Sequence, residues 1–243
     1  MDFKQLNIDN LTGLWKLGGE IGGEFVSTDT YDFSMVENSH WPNKLWLKGG
    51  LSQQNWKVIH PLLFRNSLTL PIWEIHTEEE ENRLLSLGLE KKMEIIGMSA
   101  PLAELPPHTA QLRLTQVENP QNASLWSGLF EEAFGYVISP ESVFLLRNHA
   151  DWLIAWEGEN PVGTALIYKG QGLETAGIYS LGIIPAHRRK GYAEDIFLQV
   201  LDQAKSQGSK YAILQASEMG KGLYLKTGFE EDFTIKIFTV KRP

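Results

Sequence analysis

Three consecutive cations stand directly before a glycine and an amphipathic helix in the C-terminal half of the chain. The apolar stretch 181–185 ends a predicted strand, and Arg188-Arg189-Lys190-Gly191 follows it. Cations at a helix N-terminus oppose the helix dipole, which costs a few tenths of a kcal/mol or more. An anion removes that conflict, because the free N–H groups of the first turn and a glycine without Cβ let phosphate oxygens approach. The pattern predicts a diphosphate-binding turn, with a solvated basic loop as the alternative.

The residues around this turn predict a fold class. Apolar strands are expected at 152–156, 161–168 and 175–184, and three consecutive strands favour an antiparallel meander. A helix over 191–206 carries an apolar stripe at helical spacing, and the strand 211–216 after it closes as a right-handed parallel crossover. We therefore predict an α/β (α+β) fold whose mixed, mostly antiparallel sheet has helices on both faces.

The first half of the chain predicts a smaller α/β domain. Pro101, Pro106 and Pro107 interrupt the periodicity before the next strand, so we place a boundary near residue 109, with domains at 1–109 and 110–243. The glycine-rich stretch 18–23 lacks the spacing of a dinucleotide-binding fingerprint, and we interpret it as a flexible turn.

Composition excludes several classes of function. The 243 residues include no cysteine, which rules out a disulfide framework, a thiolate metal site and a cysteine nucleophile. The six histidines show no metal-ligand spacing, so we expect no metal. A formal net charge of −8 argues against nucleic-acid binding. The start of the chain lacks a secretory signal and no apolar run is long enough to span a membrane, so we expect a cytoplasmic protein without a membrane partner.

Two motifs resemble those of a known family. Arg188-Arg189-Lys190-Gly191-Tyr192-Ala193 fits the Gln/Arg-x-x-Gly-x-Gly/Ala signature of the GNAT superfamily of acyl-CoA-dependent N-acyltransferases, with Ile183 and Pro185 at its usual flanking positions. Leu223-Tyr224-Leu225-Lys226-Thr227-Gly228-Phe229 is similar to the family's second landmark. Ser217 replaces a frequent asparagine and Gly220 a frequent alanine. The resemblance covers most of residues 111–243.

This resemblance implies acetyl-CoA as cosubstrate and a set of site residues. Tyr224 is then the general acid, although the same residue would also suit a core or interface position. Glu174 is a weak candidate for the base, with an exposed turn residue as the simpler interpretation. His187 either contacts coenzyme phosphate or caps the loop. The residues implied to contact the coenzyme are Leu181, Gly182, Ile183, Arg188, Arg189, Lys190, Gly191, Tyr192, Ala193 and Ser217.

The predicted activity is transfer of an acetyl group to a primary amine, on a small molecule or a peptide, by direct attack in a ternary complex. The alternative is a non-catalytic acyl-CoA-binding sensor or scaffold. Residues 84–89 and the strand-like stretch after them resemble the helix-glycine-strand ending of the second half, which suggests a degenerate copy of the same fold. The first half lacks the Arg-x-x-Gly-x-Gly/Ala motif, so we expect it to bind no coenzyme and to shape the amine site. The sequence specifies neither the amine nor the oligomeric state.

Overall fold

The computed structural model describes residues 1–73, 75, 77–170 and 174–241. Its helices are α1 (Phe3–Gly22), α2 (Gln53–Asn66), α3 (Glu78–Ser86), α4 (Pro120–Phe134), α5 (Pro140–Leu146), α6 (Tyr192–Ser206) and α7 (Glu218–Lys226). Its strands are β1 (Glu24–Ser27), β2 (Tyr31–Met35), β3 (Lys44–Leu47), β4 (Leu70–Trp73), β5 (Leu89–Pro101), β6 (Arg113–Gln116), β7 (Asp151–Glu157), β8 (Asn160–Tyr168), β9 (Thr175–Ile183), β10 (Tyr211–Ala216) and β11 (Glu230–Val240).

Within these described residues the strands form two sheets. Strands β1, β2 and β3 make a small antiparallel sheet, and the other eight follow the order β4-β11-β5-β10-β9-β8-β7-β6. Neighbours in the large sheet are antiparallel except β9 and β10, which are parallel. Helix α6 packs on one face, and α4 and α5 pack on the other through separate apolar clusters. The predicted fold class, a mixed and mostly antiparallel sheet with helices on both faces, is confirmed.

The large sheet continues across the predicted boundary near residue 109. Strand β5, from the first half, lies between β10 and β11 of the second half and pairs with both. Strand β4 pairs with the outer edge of β11. The division into 1–109 and 110–243 stays a prediction, and the two halves share one sheet.

The two halves repeat one order of elements. The first runs β1-β2-β3-α2-β4-α3-β5, and the second runs β7-β8-β9-α6-β10-α7-β11. Each begins with a three-stranded antiparallel meander, followed by a helix and a strand that starts parallel to the last strand of the meander. A second helix and a last strand, which lies in the shared sheet, complete each copy. Since β4 pairs with β11 and β10 pairs with β5, the order of the four strands β4-β11-β5-β10 is unchanged when the halves are exchanged.

The flexible turn predicted at 18–23 is wrong over most of its length, because α1 runs from Phe3 to Gly22. Its glycines serve close packing. A Cβ on Gly18 would lie 2.9 Å from the Trp41 ring, and one on Gly19 would lie 2.6 Å from the carbonyl oxygen of Glu24. A larger residue at either position would clash, so these glycines allow the helix to lie against the small sheet.

Candidate functional site

A cleft opens where β9 and β10 separate. The two strands pair only through Thr175–Gly177 and Tyr211–Ile213. Beyond that point β9 stays bound to β8 and β10 stays bound to β5. The strand edges that face each other across the cleft therefore have backbone N–H and C=O groups outside the ladder, and an extended ligand can pair with them.

A bulge in β9 lies beside this cleft. The register between β8 and β9 shifts between Thr164 and Leu166, and Ser180 adopts a positive φ of 50°. The Thr164 hydroxyl donates a 2.8 Å hydrogen bond to the Ser180 carbonyl and so holds the bulge. Such bulges redirect backbone groups next to active sites. The implied contact residues Leu181, Gly182 and Ile183 follow this bulge directly.

Gly182 allows an aromatic ring to lie against this strand. A Cβ at position 182 would be 2.4 Å from Cε2 of Phe134, the last residue of α4. The Phe134 ring is partly exposed and stacks on Phe130, with ring centroids 4.5 Å apart. One wall of the site next to β9 is therefore aromatic.

The N-terminus of α6 is the anion-binding end of the site. Gly191 is its N-cap, with φ of 82° and no side-chain capping bond. The N–H groups of Tyr192, Ala193 and Glu194 precede the first intrahelical bond, and they donate no hydrogen bond among the described residues. Each of the other α-helices in the described chain has its own side-chain cap, from Asp2, Ser52, Thr77, Asn119, Ser139 or Ser217.

The three cations before Gly191 have different partners. Arg188 is exposed, but its guanidinium is bonded to the backbone: Nε donates to the carbonyl of Ile183 at 3.0 Å and Nη2 to that of Ala133 at 2.9 Å. Lys190 Nζ lies 3.4 Å from a Glu157 carboxylate oxygen. Arg189 is exposed, and its side chain contacts no partner among the described residues. Arg189 is thus the cation available to a phosphate.

Glu157, at the end of β7, holds the loop before α6. Its carboxylate accepts hydrogen bonds from the Tyr192 hydroxyl and from Lys190, and it lies 3.0 Å from Nδ1 of His187. The Tyr192 bond, followed by those from Lys190 and His187, lowers the pKa of Glu157. His187 therefore contributes to the loop through Glu157, and its contact with phosphate stays a prediction. The sequence analysis did not identify Glu157, because no local pattern connects it to residues thirty positions later.

Tyr224 is largely buried on α7. Its ring packs edge-on against Phe197, with centroids 4.8 Å apart, and lies 6.2 Å from the Phe229 ring. Burial raises the pKa of Tyr224 to about 12, so the phenol keeps its proton at neutral pH. Ser217 caps the same helix by accepting the backbone N–H of Gly220 at 3.3 Å. The catalytic role of Tyr224 and the coenzyme contact of Ser217 stay predictions.

Glu174 lies at the far end of β9 from the bulge. Its backbone carbonyl accepts the N–H groups of Lys210 and Tyr211, where β9 and β10 begin to pair, and its exposed carboxylate is ion-paired with Lys210. The cleft opens at the opposite ends of these strands. The position of Glu174 gives no support to its prediction as the base.

Helix α1, from the first half, connects the two sides of the cleft. The Asn10 side chain accepts a 2.6 Å hydrogen bond from the Tyr179 hydroxyl on β9. The Asn7 side chain accepts one from Gln215 on β10 and donates to the carbonyl of Leu214 at 3.1 Å. Burial raises the pKa of Tyr179. Both strands are therefore held to one helix just beyond the point where they part, a role that no sequence motif in α1 indicates.

The described residues contain no group of three or more histidine, aspartate or glutamate side chains placed to hold a metal ion. None of their helices is both long enough and apolar enough to cross a bilayer.

One protein-family model matches most of the second half of the chain. Residues 114–229 match the family model described as the acetyltransferase (GNAT) family. This segment begins in β6 and ends at Phe229, so it contains β9, the uncapped end of α6 and Tyr224. A search of curated protein sequences finds no match to the chain.

Solved structures resemble the whole chain in fold. A GCN5-related N-acetyltransferase from Kribbella flavida is 14% identical, with a TM-score of 0.70 over 98% of this chain and 97% of that one. A GCN5-related N-acetyltransferase from Sphaerobacter thermophilus is 16% identical, with a TM-score of 0.63 over 88% and 78%. A tandem GNAT protein from the clavulanic acid biosynthesis pathway is 11% identical, with a TM-score of 0.55 over 88% and 79%. At these identities the likeness concerns the fold.

Proposed function

We propose that this chain, whose residues 114–229 match the acetyltransferase (GNAT) family model, transfers an acetyl group from acetyl-CoA to a primary amine. The observation that carries the proposal is the N-terminus of α6, which has neither a side-chain cap nor a described partner for its first N–H groups. A diphosphate there would accept hydrogen bonds from these groups and face the positive end of the helix dipole. Arg189 would add the matching positive charge.

The edge of β9 then orients the rest of the coenzyme. The amides of its pantetheine arm would pair with the free edge of β9 between Gly177 and Ile183, and the thioester would lie beside the bulge at Ser180. Backbone N–H groups there are fixed by the sheet before the substrate arrives. They can stabilise the negative charge that develops on the carbonyl oxygen during attack.

The chemistry is a direct displacement at the thioester carbonyl carbon. The neutral amine nitrogen forms the new C–N bond, the C–S bond breaks, and the leaving thiolate takes the proton of the Tyr224 hydroxyl. The amine loses its extra proton to water, and the proton on Tyr224 is restored from solvent. Tyr224 is protonated at neutral pH, as a tyrosine of ordinary pKa would be, and burial raises its pKa further.

A non-catalytic acyl-CoA sensor or scaffold would use the same cleft without turnover. The match of residues 114–229 to the acetyltransferase family model favours the enzyme. Acetyl-CoA binding is therefore measured by calorimetry, and thiol release is measured with a panel of primary amines, small and peptidic, for wild type and Tyr224→Phe.

We expect the two proteins to bind acetyl-CoA equally and the variant to release thiol at least about a hundredfold more slowly, within the usual range for loss of a general acid. Binding without thiol release for any amine would support the sensor. Absence of acetyl-CoA binding would refute the assignment of the cleft.

A further inference from the structure

The first half contains an open cleft of its own. Strands β3 and β4 meet through a single parallel bridge, Lys44 to Thr69, and then separate. A cavity of about 810 Å³ lies between them, bounded by α1, α3 and the loop from β3 to α2. In the repeated order of elements it corresponds to the cleft between β9 and β10. Its size suits a small molecule.

The anion-binding end of this second cleft is closed by the protein itself. Ser52 caps α2 through the Asn55 N–H, and Asn55 Oδ1 accepts the Ser52 N–H at 2.7 Å. Lys48 Nζ donates to the Ser27 hydroxyl at 2.9 Å and the Thr28 carbonyl at 2.6 Å, and it lies 2.9 Å from Asp32 Oδ1. The first two contacts are hydrogen bonds and the third is an ion pair, so the charge of Lys48 is already balanced by Asp32. The loop therefore offers a diphosphate neither an open helix end nor a free ammonium.

Two indole rings line the cavity. Trp46 projects from β3 and Trp73 from β4, on opposite sides of the gap. Trp15 of α1 supports both, with ring centroids 5.6 Å from Trp46 and 6.1 Å from Trp73. Their indole N–H groups make no hydrogen bond among the described residues. Walls of this kind suit a ligand with a flat or apolar body, and an indole face attracts a cation.

The charges around the cavity are mainly acidic. Its described lining includes the carboxylates of Asp9, Asp32 and Glu80, against the cations Lys48 and Arg83. Lys48 is neutralised within the loop, and Arg83 is exposed on α3. The exposed Asp9 carboxylate accepts a 2.8 Å bond from the neutral Gln5 amide. Asp9 is thus a carboxylate facing the cavity that has no cationic partner among the described residues.

We propose that this cleft binds an organic amine whose apolar body lies between Trp46 and Trp73 and whose ammonium group pairs with Asp9. A charge-assisted hydrogen bond to the carboxylate and cation–π attraction from the indoles act together on such a ligand. The site is distinct from the acetyl-transfer cleft and does not depend on the proposed function. The capped end of α2 and the ion-paired Lys48 disfavour diphosphate-bearing ligands.

The test compares three probes of nearly the same shape with the full chain in the absence of coenzyme. Calorimetry and tryptophan fluorescence are used to titrate 2-phenylethylamine, the neutral 2-phenylethanol and the anionic phenylacetate. We expect one molecule of 2-phenylethylamine to bind per chain with a change in tryptophan emission. The alcohol and the acid should bind at least about tenfold more weakly. Equal binding of the three probes, or no amine binding at millimolar concentration, would overturn the proposal.

Two variants test where the amine binds. Asp9→Asn should weaken amine binding about tenfold, whereas Glu20→Gln, at another exposed acid of α1, should leave it unchanged. An amine that binds Asp9→Asn as tightly as wild type lies elsewhere, and the proposal fails. Acetyl-CoA affinity should be the same in both variants. If the wild-type protein does not bind acetyl-CoA, that result contradicts the proposed function and leaves this inference intact.

Discussion

Ile95 and Ile235 face each other in the antiparallel pairing of β5 with β11, one from each half of the chain. Ile95 follows Gly88 at the same distance along the chain as Ile235 follows Gly228. Both glycines have positive φ at the end of the preceding helix. The two isoleucines are therefore equivalent positions of the repeat and lie where its two copies meet. Each half ends by placing its last strand between two strands of the other half.

The second half should not fold alone. In a fragment of residues 110–243, β10 and β11 would lose the strand that separates them, and the apolar side chains of Phe233 and Ile235 would lose their cover from α1. Two unpaired strand edges with exposed apolar residues favour aggregation. We expect the full chain to unfold in one cooperative transition and the fragment to show none, unless residues 1–109 are co-expressed. A fragment with a cooperative melt of its own would show that the boundary near 109 separates independent domains.

The local patterns between residues 152 and 216 were sufficient to predict the strands and the helix of that segment. The predicted strand at 211–216 matches β10, and the helix predicted over 191–206 matches α6 within one residue. Both have strong periodicity and clear end signals, with Gly208 at positive φ after α6. The turn before Gly191 was predicted because the placement of three cations there conflicts with the helix dipole unless an anion binds.

The sequence could not predict contacts that join distant segments. Glu157 reaches Tyr192 only after a hairpin and a strand have returned the chain to the same place. Asn7 and Asn10 act on β9 and β10 because β5 carries the first half into the second-half sheet. The glycines of α1 indicate a turn by composition, and only the nearby Trp41 and Glu24 show that they serve packing. Each case depends on pairings between the two halves.

Gly191→Glu should abolish acetyl-CoA binding without unfolding the protein. A Cβ at position 191 would meet no atom within 4 Å, although the positive φ of Gly191 strains any other residue, and the carboxylate would place a negative charge where the diphosphate is expected. We expect affinity to fall by about a hundredfold or more, which is about 2.7 kcal/mol. Gly208→Glu is the matched control, since Gly208 also has positive φ and open space but lies at the other end of α6. Calorimetry should show loss for the first variant only; unchanged affinity in Gly191→Glu would refute the diphosphate-binding turn.

Arg188 and Arg189 should differ in what their removal costs. Arg189→Ala removes an exposed cation without a described partner, and we expect acetyl-CoA affinity to fall about five- to tenfold with no change in melting temperature. Arg188→Ala removes hydrogen bonds to the carbonyls of Ile183 and Ala133, and it should lower the free energy of unfolding by about 1 kcal/mol. Urea unfolding and calorimetry on both variants give the answer. The reverse result would show that Arg188 turns outward to bind phosphate.

Tyr224 should make stability fall at alkaline pH. Its pKa is about 12 in the folded chain and about 10 in the unfolded one, so its contribution is complete below pH 10 and is lost as the pH rises to 12. Between pH 9 and 11 this amounts to about 1.4 kcal/mol. Urea unfolding at these two pH values should show a smaller decrease for Tyr224→Phe than for wild type by about that amount. Equal decreases would mean that the phenol titrates normally.

Glu157 presents two opposing effects on coenzyme binding, and two substitutions separate them. Its charge neutralises Lys190 and repels a diphosphate, while its oxygens hold the Tyr192 hydroxyl and so fix the start of α6. Glu157→Gln removes the charge and keeps an acceptor for Tyr192. Glu157→Ala removes both.

The glutamine variant should therefore bind CoA more tightly than wild type, by about two- to fivefold at low ionic strength. This gain in affinity should shrink in high salt, because salt screens the repulsion between the solvent-exposed Glu157 carboxylate and the diphosphate. The alanine variant should bind more weakly at every salt concentration. It loses the hydrogen bond that orders the loop, and salt does not restore that bond. Calorimetry at two ionic strengths decides between the effects. If glutamine weakens binding as much as alanine does, the carboxylate charge itself is what holds Lys190 and His187 in the binding conformation.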